Sequence, residues 1–174
     1  MWEKINKDDL INDIISGINN IPEINPGEQP NWTTEVKDCL AKIAIKYGLE
    51  CSYTLKSDGK KEFLFDFIMH SFLEYSDNEF FPGGKSIGAV YLCAESEWDT
   101  NIDSIQDDFE KLLASNAPIR LMVYSVCEAN KTKHTGWLKF IIKNNPMVTN
   151  ETTFILAACV SPNDIFEIEK FVKE

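Results

Sequence analysis

Two strand-like segments decide the fold: EFLFDFIMHSF at residues 62–72 and SIGAVYLCAESEW at residues 86–98. Both are rich in aromatic and aliphatic residues, which favours strands. The first is almost wholly apolar, which is typical of a strand buried on both faces. Asp66 interrupts this apolar segment, and Glu95 and Glu97 end the second one. The sequence therefore predicts two neighbouring strands that carry three acids.

Strand geometry predicts that these acids lie close together. Residues i and i+2 of a strand point to the same face, so Glu95 and Glu97 share a side and Ser96 points away. A hairpin centred near residue 79 or 80 would place Asp66 opposite roughly residue 93 or 94. Three gathered carboxylates repel one another unless a cation with oxygen ligands, such as Mg²⁺, compensates them. The alternative is that one or more of them points to solvent at a strand end.

The flanking sequence predicts the other elements of a mixed sheet. Helical apolar spacing predicts helices near residues 4–20, 33–47 and 102–115, over the segment GWLKFIIKNN, and after Ser161-Pro162 at the C-terminal end. Further strands are predicted near residues 49–55, 119–126 and 152–160. Chain reversals are predicted at Asp58-Gly59 and at Pro82-Gly83-Gly84. The predicted fold class is α/β, a mixed sheet with helices on both faces.

Three prolines divide the chain. Pro22, Pro26 and Pro30 lie within ten residues and predict an extended linker. We therefore expect residues 1–30 to form an N-terminal helical appendage with its linker. Residues 31–174 are expected to form a single domain.

Composition limits the classes of function. The chain has 174 residues with 17 basic and 28 acidic side chains, a net charge of -11, so a broad basic surface for nucleic acid is excluded. It has no apolar run near the roughly 20 residues that span a bilayer, and its charged N-terminus predicts no secretory signal. Its five cysteines form no CxxC pair, so we expect a reduced, cytoplasmic protein without a zinc site or disulfide framework.

One segment is locally basic. No acid occurs from Ala129 to Asn150. The candidate nucleic-acid-binding residues there are Lys131, Lys133, His134, Trp137 and Lys139. Lysines can contact phosphates and a tryptophan can stack on a base. The alternative is a solvated loop and helix with a partly buried Trp137.

The order of the elements and of the acids resembles the PD-(D/E)XK, or restriction-endonuclease-like, nuclease superfamily. That family has an αβββαβ core, an Asp on its second strand and (D/E)-x-K on its third. Here FLFDF is followed by AESEW, a helix and the strand IRLMVY, so the resemblance covers roughly residues 31–126. Glu97 stands where lysine is usual. Restriction enzymes similar to BamHI carry the same Glu-Ser-Glu variant and remain active.

The resemblance implies roles for these residues. Asp66, Glu95 and the Ser96 carbonyl would hold Mg²⁺ or Mn²⁺. Glu97 would position or deprotonate the attacking water, or bind a second cation. Glu35, on the first core helix, would join the catalytic residues; the alternative is an ordinary acid in a first helical turn.

The position of the lysine and the function itself have alternatives. A lysine can move to the following helix in such proteins, which nominates Lys111, although helical phase places it away from the buried face. The leading function is metal-dependent hydrolysis of nucleic acid. The alternative is an inactive acidic binding module, of the immunity or anti-restriction type, for a basic protein partner. A third possibility is a structural protein with incidental acids. The C-terminal apolar residues also permit a homodimer.

Overall fold

The computed structural model describes residues 5–21, 31–53, 64–75, 83–162 and 165–173. The predicted proline linker, the Asp58-Gly59 turn and the loop before Gly83 lie outside these residues. The four described helices are α1 (Lys7–Asn19), α2 (Trp32–Lys46), α3 (Ile102–Ala114) and α4 (Glu128–Asn144). The six described strands are β1 (Glu50–Tyr53), β2 (Phe67–Tyr75), β3 (Gly84–Glu97), β4 (Ile119–Cys127), β5 (Thr153–Ser161) and β6 (Ile165–Val172).

The strands form one mixed sheet in sequence order, from β1 to β6. β1, β2 and β3 run antiparallel, β3, β4 and β5 run parallel, and β6 returns antiparallel to β5. Helices α3 and α4 are the crossovers that parallel neighbours require. The predicted mixed α/β class is confirmed, and none of the described helices is long and apolar enough to cross a membrane.

Two apolar layers cover the sheet. Residues of α1 and α2 pack on one face against alternate residues of the strands. Residues of α3 and α4 pack on the other face against the intervening residues. The parallel strands β4 and β5 are buried on both sides, which explains their continuous apolar sequences.

The prediction of a C-terminal helix after Ser161-Pro162 is wrong. The segment forms β6, which pairs with β5 from Val160 opposite Ile165 to Thr153 opposite Val172. Its apolar residues fit helical spacing, but β5 offers backbone groups that a strand can pair. Glutamates Glu167 and Glu169 of β6 consequently lie near α4, which changes the electrostatics of that helix.

Helix α1 shares the core of the domain. Its residues Leu10, Ile11, Ile14 and Ile18 are fully buried, in the same cluster as α2. Asn6 caps the helix by accepting hydrogen bonds from the amides of Asp8 and Asp9. The predicted N-terminal helix therefore packs on α2 and contributes to the apolar layer on that face of the sheet.

The contact between α1 and α2 depends on a small residue at position 17. A Cβ atom added to Gly17 would lie 2.7 Å from Cys39 Sγ and 3.0 Å from Ile43 Cδ1. We expect Gly17→Val to lower the free energy of unfolding by about 2 kcal/mol, because overpacking outweighs the gain in helix propensity. Urea denaturation measures the change.

Gly136 in α4 is the matched control, because a Cβ there meets no atom within 4 Å. Gly136→Val should change the free energy of unfolding by less than about 0.5 kcal/mol. Equal effects of the two substitutions would contradict the close packing of α1 on α2.

Candidate active site

Strand register brings Asp66 next to Glu95. Phe67, the first residue of β2, pairs with Ala94 of β3, so Asp66 lies just before the strand and beside Glu95. The turn-side pairs, such as Leu73 with Ser86, follow the symmetric register that the sequence predicted. Two register shifts, between Met69 and Phe72, then move the pairing two residues along β3. The bulged hairpin therefore places Asp66 closer to Glu95 than symmetry alone would.

The carboxylate of Asp66 is fixed by three donors. Its Oδ2 accepts hydrogen bonds from the Ser96 amide at 2.9 Å and the Ser96 hydroxyl at 2.7 Å. Its Oδ1 lies 3.4 Å from Nζ of Lys37, which comes from α2. The Lys37 side chain is only 5% exposed, so this ion pair is largely shielded from solvent. The Asp66 carboxylate is therefore held by donors from both β3 and α2.

Glu95 has a different environment. It is 2% exposed, and its Oε1 is buried without a hydrogen-bond partner among the described residues. Its Oε2 lies 3.7 Å from Nζ of Lys111. Burial, with a further contribution from the Asp66 charge, raises the pKa of Glu95 to about 8, although Lys111 opposes the shift. Glu95 is thus largely protonated at neutral pH and lacks a full set of partners.

Lys111 comes from α3, the helix that directly follows β3. Its Nζ also lies 2.6 Å from Asp108 Oδ1, one helical turn away, and its side chain is 48% exposed. Burial lowers the pKa of Lys111, but the hydrogen bond to Asp108 and the charge of Glu95 outweigh it and leave the pKa raised. The long side chain reaches Glu95 from outside the apolar stripe of α3. Helical phase alone did not predict this contact.

Glu97 turns toward the loop that follows β3. Its Oε1 accepts a hydrogen bond from the Asp99 amide at 2.7 Å. Across the described part of the chain, no group of three His, Cys, Asp or Glu side chains is arranged to hold a metal ion. The two acids that share one environment are Asp66 and Glu95.

Glu35 lies elsewhere on α2. It is exposed and lines a groove with Gly17, Asn20 and Ile21 at the end of α1. The contacts of Asp66 on this helix involve Lys37 instead. Lys37 was missed in the sequence, although it lies three residues before Leu40 and seven before Ala44, both buried. A lysine in an apolar helical stripe is a signal for a buried partner of opposite charge.

The basic segment forms most of α4, and acids of β6 neutralise part of it. Lys131 Nζ lies 2.7 Å from Glu167 Oε1, and Lys139 pairs with Glu169. Lys133 is exposed. The expected positive surface is therefore reduced by Glu167 and Glu169, which were predicted to lie on a C-terminal helix.

The other two residues of that segment are wholly or partly buried. His134 is buried, and burial lowers its pKa, so the imidazole is neutral at pH 7 and adds no positive charge. Trp137 is partly buried and packs against the core layer formed by α3 and α4. This agrees with the alternative of a partly buried Trp137 and leaves less aromatic surface for stacking on bases.

Comparisons with known proteins identify no relative. No family model, no curated protein and no solved structure gives a significant match to this chain. Its class is therefore defined by its own structure: a mixed α/β protein in which two adjacent carboxylates meet two lysines from different helices.

Proposed function

We propose that this protein is a metal-dependent nuclease of the PD-(D/E)XK type, acting in the cytoplasm on phosphodiester bonds of nucleic acid. The observation that carries the proposal is the buried Glu95, with one unpartnered oxygen, beside Asp66 and the accessible ammonium group of Lys111. The order of β1 to β3, the crossover α3 and the parallel strand β4 supports the same proposal, because it is the order of that family's core.

The donor set fits a divalent cation such as Mg²⁺ or Mn²⁺. Asp66 and Glu95 supply carboxylate oxygens and Ser96 supplies a backbone carbonyl, all hard oxygen ligands. Mg²⁺ usually takes only one or two protein carboxylates and keeps several waters, so a third acid is not required. The buried Oε1 of Glu95, which finds no donor in the described structure, fits a cation better than a structural role.

Each residue of the site has a separate role in the proposed hydrolysis. When bound, the cation would lower the pKa of a water molecule and neutralise charge on the phosphoryl oxygens. Ser96 holds Asp66 in place through its amide and hydroxyl. Lys111 takes the role of the missing motif lysine: its ammonium orients the water and stabilises developing phosphoryl charge. Glu97, bonded to the Asp99 amide, shapes the loop beside the site.

Nuclease assays with Mg²⁺ and Mn²⁺ on single- and double-stranded DNA and RNA test the proposal. We expect the wild-type protein to cleave at least one of these substrates. Glu95→Gln and Lys111→Met should each lower the rate by at least about 100-fold. The first removes a carboxylate ligand of the cation, and the second removes the ammonium group that acts on the water and the phosphoryl oxygens. Glu110→Gln and Lys42→Met make the same substitutions at exposed positions outside the basic segment and should retain activity.

Two results would count against the nuclease. One is the absence of cleavage with either ion on all four substrates. The other is cleavage that survives Glu95→Gln, which would indicate a contaminating enzyme.

A second candidate function is an inactive acidic binding module of the same fold. The net charge of -11 favours it, as does the pairing of Lys131 and Lys139 with glutamates of β6. Such a module would recognise a basic protein through long-range attraction. Its binding should weaken steeply with salt and should be indifferent to Glu95→Gln, because Glu95 is buried.

A further inference from the structure

Lys37 lies where it can oppose binding of a divalent cation at Asp66. It enters from α2, on the sheet face opposite α3, and its side chain is almost completely shielded. Lys111 is half exposed and can turn toward solvent, whereas Lys37 is enclosed in the α2 layer. The buried ammonium group of Lys37 therefore stays beside the Asp66 carboxylate.

The two carboxylate oxygens of Asp66 contact different donors. Oδ2 already accepts two hydrogen bonds from Ser96, and Oδ1 faces Lys37 Nζ at 3.4 Å. A cation bound through Asp66 would use Oδ1 and would therefore lie near a positive charge. Because charges of like sign repel strongly where water is excluded, Lys37 must lower the affinity for that cation.

We infer that Lys37 is an internal counter-cation that competes with the divalent ion for Asp66 and so sets the cation concentration at which the site fills. The inference rests on the proposed function, since it concerns the same pair of carboxylates. It assigns Lys37 as a positioning residue: the ammonium group holds Asp66 when the site has no ion, and weakens binding of the ion.

Calorimetric titration of the full chain with Mn²⁺ at about pH 8 tests the competition. Lys37→Met and Lys37→Gln should each tighten Mn²⁺ binding by about tenfold, because each removes one nearby positive charge. Lys37→Arg keeps the charge and should bind as the wild-type protein does. A residue with a merely structural role would give the opposite sign, since loosening Asp66 weakens the site.

Lys42→Met is the matched control, because Lys42 is exposed on the same helix and its loss changes the net charge equally. Its affinity for Mn²⁺ should stay near the wild-type value. Thermal melting without Mn²⁺ identifies which variants are folded. If Lys37→Met is not folded, Lys37→Gln is measured in its place.

The outcomes separate the inference from the proposed function. Glu95-dependent binding by the wild-type protein, with equal or weaker binding by the folded Lys37 variants, overturns the inference alone. Mn²⁺ binding that appears only in Lys37→Met, and is lost again when Glu95→Gln is added, supports it. Absence of Glu95-dependent binding in every variant overturns both the inference and the metal site.

Discussion

Raising the pH from about 5 to about 9 should destabilise the cation-free protein through Glu95 by on the order of 4 kcal/mol. The carboxyl has a reference pKa of 4.5, and burial raises it to about 8 in the folded protein. Between these values the folded state holds a proton that the unfolded chain has released. The contribution of Glu95 is therefore fully present below about pH 4.5 and is lost as the pH rises through 8.

Glu95→Gln isolates this contribution from the other titrating groups. The variant should match the wild-type protein near pH 5 and be the more stable of the two near pH 9, because the amide cannot ionise. Urea denaturation across the pH range in the presence of a chelator provides the measurement. A constant difference between the two proteins at all pH values would show that Glu95 ionises normally in the folded state.

Much of the sheet was predictable because its strands are long, apolar and separated by clear breaks. The strands near residues 119–126 and 152–160 and the helices near 33–47 and 102–115 all appear close to their predicted bounds. The C-terminal segment was not predictable, because its apolar residues satisfy helical spacing while its pairing depends on the distant strand β5. Because this segment was predicted as a helix, the pairing of its glutamates with lysines of α4 was not predicted either.

The candidate site, like the sheet, was predictable from the sequence only in part. The proximity of Asp66 and Glu95 follows from strand pairing. The two register shifts that refine it lie beside Gly88, an interior strand glycine of the kind that often marks a bulge. The lysines depend on tertiary structure: Lys37 and Lys111 come from helices on opposite faces of the sheet. From the sequence, the acids are repelling charges with no assigned hydrogen-bond donors. The structure gives Asp66 three donors and leaves one oxygen of Glu95 with none in the described residues.

This asymmetry predicts opposite effects of neutralising the two acids. Asp66→Ala should lower the free energy of unfolding by about 3 kcal/mol without a cation, because the two Ser96 donors lose their acceptor and buried Lys37 loses a counter-charge. Asp107→Ala, at an exposed position of α3, should change it by less than about 0.5 kcal/mol. Urea denaturation near pH 7 measures both.

A double-mutant cycle measures how much of the stability lost in Asp66→Ala comes from the ion pair with Lys37. If the Lys37 ion pair carries much of the effect, Asp66→Ala should cost at least about 1 kcal/mol less in a Lys37→Met background than in the wild-type protein, since no buried ammonium group is then left behind. Additive effects would mean that Ser96 alone holds Asp66. A stabilising Asp66→Ala would mean that repulsion from Glu95 dominates the site, as the sequence interpretation assumed, and the division between a fixed Asp66 and an unsatisfied Glu95 would be wrong.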